Sequence, residues 1–357
     1  MKNTGSRRPQ DTLHAHLEAA FPLDPRRLTV FAALILVIIE QRTVCLARLV
    51  TRIRLPGTGE TVYQRLKRFA RFDWTTQQTQ TARFILQHFQ QESEVLLVMD
   101  RTNWAWGKQP LNLLVLSILW RSFSFPLAWT VLPHGGSSDM QRRIQLVETV
   151  IPLLTGKKVL LLADREFIGK DWFQALKRLG VQPTIRLLAT TRVGGVPVWA
   201  CFKKLEPGEL RIWHRAVDVY GVQMRVLACK NHAGETLYLA YHGVGHKAIT
   251  RYAWRWNVEN MHQSMKGRGF DLEATRLTQG ARLSVLFGVV VLAFVWCCLS
   301  GDFLARKSPP KTLKHGYPAK SLFRMGLDAL QDALSSRPGK KSRSVPSFRQ
   351  LLATFDP

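Results

Sequence analysis

Acidic residues are scarce in this chain: 25 Asp and Glu stand against 51 Lys and Arg over 357 residues, a formal charge of +26. With a pI near 10.6, that imbalance is the electrostatic footprint of a binder of phosphate backbones, although basicity alone also suits a membrane-surface or ribosomal protein. Cysteine is sparse as well. Cys45, Cys201, Cys229, Cys297 and Cys298 form an odd set with no CxxC and no matched His spacing, which supports neither a disulfide framework nor a zinc site. Met1 to Gln10 is polar and basic, with no apolar stretch behind it that ends in a small-residue cleavage site, so the expected compartment is reducing and cytoplasmic. Long apolar runs are few. Leu28 to Ile39 is too short to span a bilayer, whereas Leu283 to Ser300 carries no charge and just reaches spanning length. Gly288 lies inside the second run and no aromatic belt flanks it at both ends, so a core helix is the expectation and no membrane partner is.

What is present supports a folded protein of two or three domains, since 46% of residues are hydrophobic. Residues 1–92 read as helices. One begins after Asp24 with Pro25 in its first turn and runs to Glu40, and a second carries Val44, Leu46, Ala47, Leu49 and Val50. After the breaker Pro56-Gly57-Thr58-Gly59, residues 61–72 place Val62, Leu66 and Phe69 on one face and Gln64, Arg65, Lys67, Arg68 and Arg71 on the other. That face suits a helix-turn-helix-like DNA reader with Gln64, Arg65 and Arg68 presented, and equally a solvated basic surface.

From residue 93 the pattern becomes α/β. Val95 to Met99, Leu111 to Trp120 and Phe125 to Leu132 read as strands, Asp139 to Leu154 as a helix, Val159 to Ala163 as a strand, Asp171 to Leu179 as a helix and Thr184 to Ala189 as a strand. This order is that of a ribonuclease H-like layer. Residues 191–245 switch to short alternating strands with Gly turns such as Tyr220-Gly221, which predicts an all-β insertion. The core therefore spans 93–190 plus 246–300. Residues 301–357 form a basic C-terminal segment with a helix at 321–334 and a flexible stretch at 337–343.

Three carboxylates stand out. Asp100 and Asp164 each end a run of five apolar residues, which predicts two carboxylates at one edge of a sheet, although an Asp at a strand end is also a common turn former. The third is Glu259. Tyr252, Arg255, Glu259 and Lys266 fall at offsets 0, 3, 7 and 14, within roughly a 60° arc of one continuous helix. Packed at the sheet edge, such a helix would complete a site in which Asp100, Asp164 and Glu259 bind two Mg²⁺ or Mn²⁺ ions for phosphodiester chemistry. Taken singly, Arg255 and Glu259 are an ordinary i,i+4 ion pair.

The spacing Tyr-x2-Arg-x3-Glu-x6-Lys resembles the signature of DDE transposases of bacterial insertion sequences, the IS-four superfamily. Asp100-Arg101-Thr102 and Asp164-Arg165-Glu166-Phe167 resemble that superfamily's first two acidic motifs, and the likeness covers roughly residues 94–300. Beside the N-terminal helical DNA-binding domain read above, it implies a ribonuclease H-like core with a β insertion and an acidic triad of Asp100, Asp164 and Glu259 that holds divalent metal. It also implies that Tyr252, Arg255 and Lys266 contact DNA near the cleaved end. The implied partners are terminal inverted repeats, target DNA and a second copy of the chain, with a nucleoid location when bound. Cut-and-paste transposition is the implied activity; the alternative is a catalytically inactive or domesticated DNA-binding protein. Some members stack a flipped base on an aromatic residue of the insertion, and Trp199 and Trp213 are the candidates here, although each also suits strand core. Glu166 departs from the glycine that many members carry, which would add a negative charge beside the metals.

Overall fold

The computed structural model describes residues 8–314, 316–335 and 346–356, so the basic stretch 337–343 lies outside the described residues. In chain order the elements begin with α1 (Pro9–Glu18), α2 (Pro25–Gln41), α3 (Leu46–Leu49), α4 (Gly59–Phe69) and α5 (Thr75–Leu86). After these come β1 (Glu94–Trp106), β2 (Gln109–Trp120), β3 (Phe123–Leu132), α6 (Met140–Val150), β4 (Lys158–Ala163), α7 (Lys170–Arg178) and β5 (Gln182–Leu187). Next are β6 (Arg192–Val193), β7 (Val196–Pro197), α8 (Val198–Cys201), β8 (Leu210–Ile212), β9 (Val217–Val219), β10 (Val222–Lys230) and β11 (Thr236–Tyr241). The chain closes with α9 (Gly245–Ala253), α10 (Trp256–Met265), α11 (Gly280–Lys307), α12 (Leu322–Ser335) and α13 (Phe348–Leu352). Two compact units result: Met1–His88, Trp104–Pro110 and Met261–Pro357 form one, Phe89–Asn103 and Leu111–Asn260 the other.

The second unit is built on a mixed sheet in the order β3-β2-β1-β4-β5-β11-β10-β8. The chain enters it as three strands, a helix, a strand, a helix and a strand, the order expected from the apolar runs. β4 is a nearly continuous apolar run because a central parallel strand is covered on both faces. It pairs in parallel with β1 from Glu94↔Lys158 to Met99↔Ala163, and with β5 from Leu160↔Gln182 to Ala163↔Ile185. α6 opens on Asp139, whose side chain accepts the Arg142 N–H and so satisfies one of the free donors of the first turn.

Two expectations change here. β1 does not end at Asp100 but continues to Trp106; what ends is the parallel pairing with β4, at Met99↔Ala163. The stretch 191–245 is not a separate all-β body. β11 pairs antiparallel with β5, and β10 and β8 extend the same sheet, because the backbone edge that β5 exposes is completed most directly by the next available strand. It also contains the helical turn α8. Between β9 and β10 the chain reverses at Tyr220 and Gly221, both at positive φ (55° and 82°), the backbone a tight hairpin with right-handed twist needs.

The other unit is helical. α2 starts on Asp24, whose carboxylate accepts the Arg26 and Arg27 N–H groups, with Pro25 at the first position. α11 has the length and hydropathy of a membrane-spanning helix, and 94% of its apolar window is buried within the protein, packed on α2, α5 and α12. α11 and α12 meet through Gly301 and Gly326: a Cβ built on Gly326 would run into the carbonyl oxygen of Cys297, and one on Gly301 into that of Leu322. Backbone is the obstacle in both cases, so no side chain can swing away. Gly326→Ala is therefore expected to lose about 1–3 kcal/mol of stability in urea denaturation. Gly267→Ala, where an added methyl meets nothing within 4 Å, is expected to stay within about 0.5 kcal/mol of the parent.

Candidate active site

The parallel register of β1 and β4 decides where the first two acids stand. One position beyond the Met99↔Ala163 pair come Asp100 and Asp164, on neighbouring strands of the sheet. Each carboxylate accepts the backbone N–H of the next residue, Arg101 at 2.8 Å and Arg165 at 2.7 Å. These bonds turn both side chains along the chain direction and fix their orientation.

Glu259 enters from α10. The helix expected to run unbroken from Tyr252 to Lys266 is in fact two: α9 ends at Ala253, and α10 runs from Trp256 to Met265. At the junction the backbone N–H groups of Trp254, Arg255, Asn257 and Val258 bond to carbonyls three residues back, the tighter 3₁₀ pattern that fits helix termini. Trp254 keeps right-handed helical angles, so the side chains of Tyr252, Arg255 and Glu259 still share a neighbourhood. The Arg255 guanidinium lies 3.3 Å from Asp100 Oδ2, 3.6 Å from Glu259 Oε1 and 5.9 Å from the centre of the Tyr252 ring.

The electrostatics are set by burial. Asp100, with its side chain only 17% exposed, has its pKa pushed up to about 6, first by desolvation; Arg255 and the Arg101 N–H pull it down, and Glu259 and Asp164 push it up further. Burial opposes the charge of Arg255, but Tyr252, Asp100, Asp164 and Glu259 outweigh it and hold the guanidinium firmly protonated. Tyr252 packs with Leu227, Leu239, Tyr241 and Ala248. Desolvation raises its hydroxyl to about 12, so it remains a hydrogen-bond donor at any physiological pH.

Arg186 belongs to this site and was not foreseen. On β5, one step past the Ala163↔Ile185 pair, its guanidinium lies 4.0 Å from Asp164 Oδ1. The two aspartates thus face different guanidiniums. Three carboxylates with two arginines among them are a hard-oxygen donor set that fits Mg²⁺ or Mn²⁺. Among the described residues no three His, Cys, Asp or Glu side chains converge on one point as metal ligands; between Asp100 and Glu259 the cationic place is taken by Arg255.

Lys266 falls past the end of α10 in the helical unit, where its ammonium meets Glu273 Oε1 at 3.0 Å and stands 5.4 Å from the Trp104 ring centre. His262 is fully buried and its pKa falls to about 3, from desolvation and then from Lys266, so its ring is neutral. On α4, Gln64 Nε2 donates to Glu60 Oε1 at 2.6 Å, Arg65 to the Pro56 carbonyl at 2.9 Å and Arg68 to the Gln64 carbonyl at 3.4 Å. Arg65 and Arg68 line a cleft of about 770 Å³ together with Arg26 and Arg27 from the start of α2, two arginines that the basic-face pattern did not include. Trp199 on α8 is 43% exposed with Lys203 over its ring, whereas Trp213 packs edge-on against Phe202. Trp254 and Trp256, on either side of Arg255, are both exposed, the latter by 65%. The negative charge that Glu166 was expected to add beside the acids is met by Arg101, 2.6 Å away, and by Arg143 at 3.8 Å.

A family profile described as "Transposase DDE domain" matches residues 72–296. Among solved structures, similarity is found to a piggyBac transposase synaptic complex with hairpin DNA, at TM-score 0.48 and 11% identity over 94% of this chain and 77% of that one. It is also found to an Endonuclease V from Bacillus subtilis, at TM-score 0.26 and 12% identity over 48% of this chain and 79% of that one. No curated protein matches the chain.

The raised pKa of Asp100 has a measurable effect. Its folded-state value lies above the ordinary 3.8 of the unfolded chain, so the folded protein holds this proton more tightly. The group costs nothing below pH about 4, its cost grows as pH rises through the window to about 6, and it levels there at about 3 kcal/mol. In urea denaturation without divalent metal, Asp100→Asn is expected to gain stability over the parent across that window and keep the gain above it. A difference that stays constant from pH 4 to pH 7 would show that burial does not strain this carboxylate.

Proposed function

Because this chain belongs to the transposase DDE domain family, we propose that it cleaves DNA at transposon ends and transfers the freed strands into target DNA, by the cut-and-paste route of the IS-four superfamily. The observation that carries this is the bridge by Arg255 between Asp100 and Glu259, acids 159 residues apart in sequence, beside Asp164. A structural ion pair would need one carboxylate, whereas three acids at one sheet end, one of them resisting ionisation, suit a cation and a phosphodiester. The core is a ribonuclease H-like sheet in this proposal, with residues 1–92 as the DNA-binding domain.

Asp100, Asp164 and Glu259 would hold the divalent metal. When bound, the metal supplies an activated water or 3′-hydroxyl and charge stabilisation at the leaving oxygen. With the divalent metal held by the acids, Arg255 and Arg186 would be the guanidiniums beside it, and their forked donors suit backbone phosphates. Tyr252, protonated, donates a hydrogen bond to the same backbone. Lys266 contacts DNA close to the cleaved end, and the Arg65, Arg68, Arg26 and Arg27 cleft, with Gln64 beside it, engages the terminal repeat. The exposed Trp199 is the better placed of the two tryptophans to stack an extruded base. A second copy of the chain pairs the two ends.

The test is metal-dependent cleavage of a labelled duplex that carries the inverted repeats flanking the reading frame. With Mg²⁺ or Mn²⁺ the parent is expected to cut at the repeat boundary, and Asp100→Ala, Asp164→Ala and Glu259→Ala each to lose more than the roughly 100-fold that loss of a supporting residue costs, while still binding the duplex. Arg255→Ala is expected to weaken binding of the ends and to reduce its salt dependence. Specific binding by the parent with no cleavage would instead favour an inactive DNA-binding relic of the same fold.

A further inference from the structure

The two motifs that carry Asp100 and Asp164 are joined a second time, just beyond the acids. Arg101 Nε donates to Glu166 Oε1 at 2.6 Å, and both side chains are largely buried, at 19% and 23% exposure. Arg101 also donates to Asn112 Oδ1 at 3.3 Å and to the Gly136 carbonyl, which Asn112 Nδ2 shares at 2.9 Å. On the other side of Glu166, Arg143 is 5% exposed. It donates to the backbone carbonyl of Glu166 at 3.1 Å, to Ser138 Oγ at 2.8 Å and to the Ser138 carbonyl at 2.6 Å. Ser138 in turn gives its N–H to Glu166 Oε1 at 3.3 Å. A carboxylate shared by two arginines, which also donate to Asn112, to the Gly136 carbonyl and to Ser138, is a polar network that ties the two motifs together.

Its placement gives it a task. The β1–β4 ladder ends at Met99↔Ala163, so no backbone pairing between these two segments fixes the residues beyond it, and the two aspartates sit at that end. The Arg101–Glu166 contact is the next tie between the segments. We propose that Glu166 is a positioning residue: through Arg101 it sets the spacing between the Asp100 and Asp164 carboxylates. This rests on the reading that those carboxylates hold divalent metal. Glu166, whose partners are Arg101, Arg143 and Ser138, acts on how well two ligands are held at the separation a metal requires.

The experiment is a Mn²⁺ titration of the full-length protein by electron paramagnetic resonance, with thermal melting and cleavage of the inverted-repeat duplex measured on the same samples. Glu166→Gln and Arg101→Gln are each expected to weaken Mn²⁺ binding 10–100-fold, and the double variant to bind no worse than the weaker single. Ser138→Ala, which disturbs the same network but leaves the Arg101–Glu166 contact, is expected to lower the melting temperature while its Mn²⁺ affinity stays within about threefold of the parent. Parental Mn²⁺ affinity in Glu166→Gln, effects of the two variants that multiply, or an equal loss in Ser138→Ala would each overturn the proposal. Should Glu166→Gln not fold, Arg101→Gln carries the same expectation, because it leaves Glu166 its contacts with Ser138 and Arg143. A parent that neither binds Mn²⁺ nor cuts, and that Asp164→Ala does not change, would instead remove the metal-site reading and this proposal with it.

Discussion

Everything at the site depends on the parallel pairing of β1 with β4. A parallel ladder repeats at an even spacing along both strands, so the chain leaves its last pair, Met99↔Ala163, with Asp100 and Asp164 next in line on neighbouring strands. The apolar runs before them, Val95 to Met99 and Val159 to Ala163, are buried almost throughout and hold the register by hydrophobic burial rather than by any contact the acids make. The acids are carried to the sheet end by residues that have no part in their chemistry, and burial there raises the energy of ionised Asp100.

Arginine is what makes that concentration of negative charge compatible with a fold. Asp100 and Glu259 share Arg255, Asp164 faces Arg186, and Glu166 lies between Arg101 and Arg143. The net positive charge that first suggests an anionic ligand therefore has a second, internal use. Guanidinium suits it better than ammonium, because it stays charged in a buried setting and presents donors in a planar fan to several acceptors at once.

Much of this was legible in the residues. Continuous apolar runs marked β1 and β4, the strand–helix order marked the layer, and the offsets of Tyr252, Arg255 and Glu259 marked their common face. Family resemblance pointed to the transposase DDE domain that the profile matches over 72–296. What could not be read depends on non-local pairing. Helical periodicity over Tyr252 to Lys266 is nearly the same for one helix or for two joined by a 3₁₀ step, so the break at Trp254-Arg255 left no trace in spacing. Arg186 comes 22 residues after Asp164, and only the β4–β5 register brings them together. Short strands such as β8 and β11 carry no mark of their partner, so their union with the main sheet was not visible. Glu166 read as a liability because its sequence neighbour is Asp164; its neighbour in space is Arg101.

The two aspartates differ in the kind of chain that leads away from them. Asp100 lies within β1, which runs on for six more residues to Trp106, whereas Asp164 leads into a non-helical, non-strand turn before α7 begins at Lys170. One added residue after Asp100 would turn every later side chain of β1 to the opposite face of the strand. The same addition after the turn beyond Glu166 meets only connecting chain, which absorbs length at little cost. The segment after the first acid is therefore constrained in length as well as in composition as far as Trp106, whereas after the second acid that constraint reaches only through Glu166 and the buried Phe167, and the short connection to α7 is left to carry any change in length.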